Sequence, residues 1–236
     1  MRTLTISDHG FYLPPDTSAA PISTIWHTFG WASSFLADDL TGGLVAAWPD
    51  GKGGTSMAQA TGIKRPYKGR HYGPNNQPGV RFDGIDDVLT NGGGAVASPL
   101  TYVLIAKQLS VVSGAVLMSG NGATTRPFIS VTPTDWRLST TSTALFGGTP
   151  NTSWHGIVAL FSGASSQMWL DGTSLGTGSI ASSSPSGISL GGNSSGTGSF
   201  TPLVVAAVGV YAGNARTNGS WSSLVADAAT KWGVAL

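Results

Sequence analysis

The second half of the chain is a succession of short apolar segments separated by turn-forming residues, and this pattern constrains the fold most. Segments such as TYVLIAKQL (101–109), HGIVALFSG (155–163) and FTPLVVAAVGVYAG (200–213) are separated by stretches rich in Gly, Asn, Pro and Asp. Short strands at this spacing favour an antiparallel β-sandwich over a helical or βαβ architecture. The most continuously apolar segments are expected at the centre of the sheets, covered on both faces.

The two ends of the chain differ from this pattern. Residues 1–30 are predicted to form an extended N-terminal arm, in which Ile25, Trp26 and Phe29 supply apolar anchors. Such an arm either adds an edge strand to its own domain or docks on a neighbouring subunit, and the sequence leaves both open. Residues 31–236 are predicted to be one sandwich domain that ends in a short helix, 219–231, because its apolar residues recur at helical spacing.

Charge and composition exclude several classes of function. The net charge is +1 and the 12 basic residues are scattered, so we expect neither nucleic acid nor an anionic membrane as a partner. The chain has no cysteine, which excludes disulfides and thiolate chemistry. The N-terminal sequence lacks the apolar core of a signal peptide, and the apolar run 203–212 is too short to cross a bilayer as a helix.

Several motifs, taken in order, resemble a known family. The first motifs are VAAWPDGKGG, AQAT, RPYK and PGVRFDGIDDVLT. They are followed by SWHGIVALFSGASSQMWLDGTSLGTG, ISLGGNSSGTGSF and VGVYAG, and the last motif is SWSSLVADAATKWG. This order resembles phage-type concanavalin A-like (laminin G-like) domains over roughly residues 31–236. The resemblance implies an all-β fold, a concanavalin A-like antiparallel jelly-roll sandwich. It also implies a place in tail, fibre or head-decoration proteins of bacteriophages, where such domains bind glycans or serve as structural modules.

The stretch RFDGIDDVLT concentrates three aspartates, Asp83, Asp86 and Asp87, in a chain that is only 10% charged. One interpretation is a turn in which the carboxylates accept backbone N–H groups and Gly84 supplies a positive φ. A calcium site is the second, because a tight turn of hard oxygen ligands suits Ca²⁺. A glycosidase pair is the third. It is disfavoured because neighbouring strand residues point to opposite faces, and because the chain has no glutamate for the fold's usual catalytic strand.

Other catalytic patterns are not found in the sequence. There is no GxSxG motif, and none of the four histidines has a spacing typical of a zinc site. His155, at the start of a strand, is expected to be a packed or edge residue. Four tryptophans are expected in the core: Trp48, Trp154, Trp169 and Trp232. We therefore assign no catalytic residue and predict that the chain is not an enzyme.

Aromatic and cationic residues in the loops are the remaining candidates for ligand contact. A flat aromatic ring beside a few polar donors is what sugar binding requires. The candidate glycan-binding residues are Tyr67, Arg70, His71, Tyr72, Arg126 and Trp136. The alternative is that these loops contact neighbouring subunits.

The resemblance favours a phage virion structural protein, either a minor tail protein or a head-decoration subunit, with host cell-wall polysaccharide as a candidate ligand of its surface loops. We expect it to form a homo-oligomer and to contact other virion proteins through its N-terminal arm, within a virion assembled in the host cytoplasm. A free-standing lectin-like module is the alternative, and a glycan-degrading enzyme ranks third. No cofactor is expected apart from the calcium alternative.

Overall fold

A computed structural model describes residues 6–7, 10–11, 26, 28–122, 125–140, 143–180 and 184–236. Its strands are β1 (Ile6–Ser7), β2 (Gly10–Phe11), β3 (Ser33–Leu36), β4 (Gly43–Leu44), β5 (Ala47–Trp48), β6 (Met57–Ala58), β7 (Tyr67–Gly69), β8 (Gly79–Asp83), β9 (Leu89–Thr90), β10 (Leu100–Gln108), β11 (Val116–Asn121), β12 (Phe128–Val131), β13 (Trp136–Ser139), β14 (Ala144–Gly147), β15 (His155–Phe161), β16 (Gly163–Leu170), β17 (Thr173–Ile180), β18 (Gly187–Leu190) and β19 (Pro202–Ala212). The helix α1 spans Trp221–Trp232, and short 3₁₀ turns occur at Ala37–Asp39, Gly62–Lys64, Pro74–Asn76 and Ala215–Thr217.

Two antiparallel sheets form a sandwich, as the sequence predicts. The first sheet has the order β17-β16-β15-β10-β19-β8-β7-β4, with β3 also paired to β19. The second sheet has the order β14-β13-β12-β11-β18-β9-β6-β5. Strands β1 and β2 pair only with each other among the described residues. The fold class is therefore all-β with one short C-terminal helix.

The most apolar strands lie at the centre of the first sheet. Strand β10 pairs with β15 on one side and with β19 on the other. Alternate residues of β10 enter an inner core between the two sheets, among them Tyr102 and Leu104, whereas Val103 and Ile105 enter an outer core on the opposite face. Burial of both faces explains why the strand is almost continuously apolar.

The outer core is closed by α1 and by aromatic residues that precede β3. Trp26, Phe29 and Trp31 are buried there, and the Trp26 ring meets the Trp232 ring edge-on at 5.4 Å between centroids. Gly209 of β19 has no side chain because a Cβ there would lie 2.7 Å from the Trp31 ring. The predicted anchors Trp26 and Phe29 thus pack on the first sheet.

Most of the predicted N-terminal arm, including Ile25, lies outside the described residues. The division of the chain into an arm at 1–30 and a domain at 31–236 stays a prediction.

The helix α1 begins two residues later and ends one residue later than predicted. Gly233 ends it in the left-handed conformation, with φ 67°, and donates its N–H to Ala229 O. Its buried Lys231 forms a 2.6 Å ion pair with Asp38. In the described part of the chain no helix has the length and apolar character needed to span a bilayer.

Candidate functional site

Four of the predicted glycan-binding residues lie together in the segment from β7 to the β7–β8 connection. The rings of Tyr67 and Tyr72 are tilted against each other with centroids 6.2 Å apart, and Tyr72 is 36% exposed. Arg70 and His71 are exposed beside them, and His71 Nδ1 lies 3.2 Å from Asn76 O. The segment offers an aromatic pair next to a cation, and its role in binding a glycan stays a prediction.

The other two predicted residues belong to the second sheet. Arg126 lies in the β11–β12 connection, where its guanidinium donates to Ser194 Oγ. Trp136 is only 1% exposed and packs in the inner core, where its ring meets His155 edge-on at 5.5 Å. The prediction that Trp136 contacts a glycan is therefore wrong, because β13 turns this side chain away from solvent.

The aspartate cluster between β8 and β9 has the hydrogen bonds of a tight turn. Asp83 Oδ1 accepts the backbone N–H groups of Ile85 at 2.8 Å and of Asp86 and Asp87 at 3.3 Å. Asp87 Oδ2 accepts the N–H of Asp83 at 2.9 Å, which closes the turn from the other side. Gly84 has φ 80°, and a Cβ there would lie 2.5 Å from the Pro202 ring, so only glycine fits.

The same three carboxylates are also the candidate cation site. Oxygens of Asp83, Asp86 and Asp87 lie within 4.8 Å of one another. Burial, with the nearby charges of Asp83 and Asp86, raises the pKa of Asp87 to about 6, although the N–H of Asp83 opposes the shift. Backbone N–H groups engage Asp83 Oδ1 and Asp87 Oδ2, which supports the turn interpretation, and the calcium interpretation stays a prediction.

His155 is packed, as predicted, and bonded on both sides of its ring. Its Nδ1 lies 2.7 Å from Asp171 Oδ2, and its Nε2 lies 3.0 Å from Asn151 Oδ1. Asn151 Oδ1 also accepts the N–H of Ser153 at 2.7 Å, which identifies this atom as the amide oxygen. The ring nitrogen that faces a nucleophile in a catalytic triad therefore faces an amide oxygen here. Trp48, Trp169 and Trp232 are buried, as expected, whereas Trp154 is only half-buried and packs against the outer core.

The outer face of the second sheet carries a group of residues that sequence reasoning missed. Ile129, Val131, Trp136 and Leu138 belong to the inner core. Because successive strand residues point to opposite faces, the residues between and beside them lie on the outer face. They are Phe128, Ser130, Arg137 and Ser139, which share that face with Phe146 of β14, the register partner of Arg137.

Arg137 and Phe146 form the exposed part of this outer face. The Arg137 guanidinium carbon lies 4.6 Å from the centroid of the Phe146 ring, and the ring is 49% exposed. A cation at this distance from a ring face is attracted by its quadrupole. The pair therefore presents an apolar ring edge together with a planar set of N–H donors.

Three polar atoms on the outer face have no hydrogen-bond partner within the described residues. They are Ser130 Oγ, Ser139 Oγ and Arg137 Nε. Two other serines of this sheet are satisfied internally, since Ser189 Oγ donates to Asn121 Oδ1 at 2.8 Å and Ser119 Oγ to Gly120 O at 3.2 Å. A buried polar atom without a partner costs about 1–3 kcal/mol, and a water or an acceptor that reached these atoms would offset that cost.

The sequence indicates which residues of these strands share a face, but it does not indicate which strands are neighbours. The segments RPFISV and WRLST each alternate larger apolar residues with polar ones, which is the pattern of a half-exposed strand. Strand alternation alone does not say which strands lie side by side. The pairing of Ser130 with Arg137 and of Arg137 with Phe146 brings the residues together.

Comparison with known proteins identifies the fold but no family. No family model and no curated protein sequence matches the chain. Among solved structures it is similar to a Trypanosoma rangeli sialidase solved with sialic acid, at 14% identity and a TM-score of 0.61, covering 96% of this chain and 36% of that one. It is also similar to the ligand binding domain of botulinum neurotoxin serotype D solved with N-acetylneuraminic acid, at 9% identity and a TM-score of 0.53, covering 88% and 54%. At these identities the likeness shows the fold.

The comparison corrects one prediction from the sequence. The sequence predicts that the chain is not an enzyme, yet several of the solved structures that share its fold are sialidases, including one solved with an inhibitor at 15% identity and a TM-score of 0.56. The chain spans about a third of the length of these enzymes. The prediction from the sequence alone that the chain is not an enzyme is therefore withdrawn.

Proposed function

We propose that the chain is a lectin-like glycan-binding module that holds saccharide on the outer face of its second sheet. One observation carries the proposal: the exposed Phe146 ring lies under the Arg137 guanidinium, beside buried hydroxyls that have no partner among the described residues. The C–H face of a pyranose ring packs on an aromatic ring, and a few polar groups then fix its orientation. The sialidase and the neurotoxin domain, both solved with a sialic acid, support this choice of ligand class because they share the fold.

Binding is tested with the purified chain and cell-wall polysaccharides of candidate hosts. Saturable pull-down is expected, and Phe146→Ala should weaken it about tenfold, since loss of a stacked ring costs about 1–2 kcal/mol. Tyr72→Ala serves as the matched control, because Tyr72 is also a partly exposed aromatic residue but lies in the β7–β8 connection.

Three results of this test are distinguishable. Loss on Phe146→Ala alone supports the outer face, whereas loss on Tyr72→Ala alone moves the site to the β7–β8 connection. Absence of saturable binding to any polysaccharide contradicts the proposed function. The same incubations are followed for released sugar, because solved enzymes share this fold.

We propose further that the module belongs to a bacteriophage virion, as a minor tail or head-decoration protein assembled in the host cytoplasm. The support is the order of motifs along residues 31–236. In this proposal copies of the chain form a homo-oligomer and contact other virion proteins through residues 1–30. Mass spectrometry of purified particles tests it, and a chain missing from intact particles contradicts it.

A further inference from the structure

The Arg137 guanidinium is the centre of an unpaired set of donors on the outer face of the second sheet. Its described contact is the Phe146 ring, and its Nε–H is buried without an acceptor among the described residues. A guanidinium donates five N–H groups in a fixed plane and accepts none. Any group that satisfies it must therefore be an acceptor.

Two hydroxyls flank the guanidinium in the same row of residues. Ser130 lies directly across from Arg137 in the β12–β13 pair, and Ser139 lies two residues further along β13 on the same face. Their side chains are 2% and 1% exposed, and neither hydroxyl has a partner among the described residues. Unlike the hydroxyls of Ser119 and Ser189, these two are unsatisfied among the described residues, and both are covered from solvent.

Among the described residues, no carboxylate pairs with Arg137, Ser130 or Ser139. The acidic residue nearest in sequence is Asp135, and its carboxylate accepts from Thr134 Oγ1 at 2.6 Å in the turn that precedes β13. Arg137 has no ion pair among the described residues. The guanidinium therefore keeps its charge uncompensated on a half-buried surface, which favours an anion.

We infer that the outer face is specific for a carboxylate-bearing saccharide, a sialic or hexuronic acid. This inference rests on the proposed function and names its ligand class. The carboxylate accepts N–H groups from Arg137, and the sugar ring packs on the exposed part of Phe146.

Pairs of charged and neutral probes test this specificity. Binding of 3′-sialyllactose is compared with lactose, and binding of polygalacturonate with the same polymer after carboxyl reduction. We expect the charged member of at least one pair to bind about tenfold tighter or more, which is typical of a hydrogen-bonded pair of charges. The pair that discriminates identifies which class of acid is bound.

Substitutions that remove or keep the positive charge of one arginine show which residue causes the preference for the charged probe. Arg137→Gln should bring the ratio of charged-probe to neutral-probe affinity close to one, and Arg137→Lys should retain part of the preference because the charge remains without the planar fork. Arg70→Gln is the matched control: it removes the same charge from the exposed β7–β8 connection. Thermal unfolding of each variant confirms that it is folded.

The outcomes separate this inference from the proposed function. Equal binding of charged and neutral probes overturns the specificity but leaves a glycan-binding module. Loss of preference in Arg70→Gln rather than Arg137→Gln also overturns the inference, because it places the acid at the other loop. Failure of every probe and every polysaccharide to bind overturns both.

Discussion

Replacing Asp83 by alanine should destabilise the protein by about 2 kcal/mol. The substitution removes the oxygen that accepts one N–H at 2.8 Å and two at 3.3 Å, those of Ile85, Asp86 and Asp87. A net hydrogen bond contributes about 0.5–1.5 kcal/mol, and the two longer, partly exposed bonds lie at the low end. In a domain of this size the loss corresponds to a fall of about 4–8 °C in the melting temperature.

Asp83→Asn separates the turn from a metal site, because the amide keeps an oxygen in the position of Oδ1 and removes the charge. If the aspartates only fix the turn, the asparagine variant stays close to wild type in urea unfolding, and EDTA changes neither protein. A calcium site predicts the reverse: both variants lose stability alike, and EDTA lowers the wild type to their level. A change of less than about 0.5 kcal/mol for Asp83→Ala would refute the turn argument, since a surface substitution without structural consequence has that size.

Two further predictions concern buried side chains. Since burial raises the pKa of Asp87 from 3.8 to about 6, the folded chain binds a proton there that the unfolded chain has released, so the free energy of unfolding falls as the pH rises from about 4 to 6. Asp87→Asn should remove this decline, and urea unfolding across that range measures it; an unchanged slope refutes the assignment. Trp136→Ala should lower the free energy of unfolding by about 3–5 kcal/mol, whereas an exposed ligand-contacting residue would change it by less than about 1 kcal/mol.

Local patterns in the sequence were sufficient for the sandwich and for the helix. The run TYVLIAKQL is apolar at nearly every position because β10 has a core on each face. Burial on both faces can therefore be predicted from consecutive residues alone. The helix is predicted in the same way, because the spacing of its apolar residues and the Gly233 that ends it are both visible within a few consecutive residues. These features depend on neighbours within a few positions along the chain.

The site depends on pairings that local patterns do not contain. The sequence predicts ligand contact for Trp136 because it is an aromatic residue at a junction between a loop and a strand. Its side chain is instead buried, since its strand partner Val131 also faces the inner core. The same register puts Arg137 on the opposite face, beside Phe146. A shift of one residue would have exchanged the two faces.

The covering of the first sheet has a consequence for valency. Trp26, Phe29 and α1 seal the outer side of that sheet, while the second sheet carries the exposed Phe146 on its outer side. A single copy is therefore one-sided and monovalent in the proposed binding. Copies held with their open faces toward one surface would gain about 10²–10⁴ in avidity without any new contact, so the spacing between copies, more than the strength of each site, would set how firmly an assembly adheres.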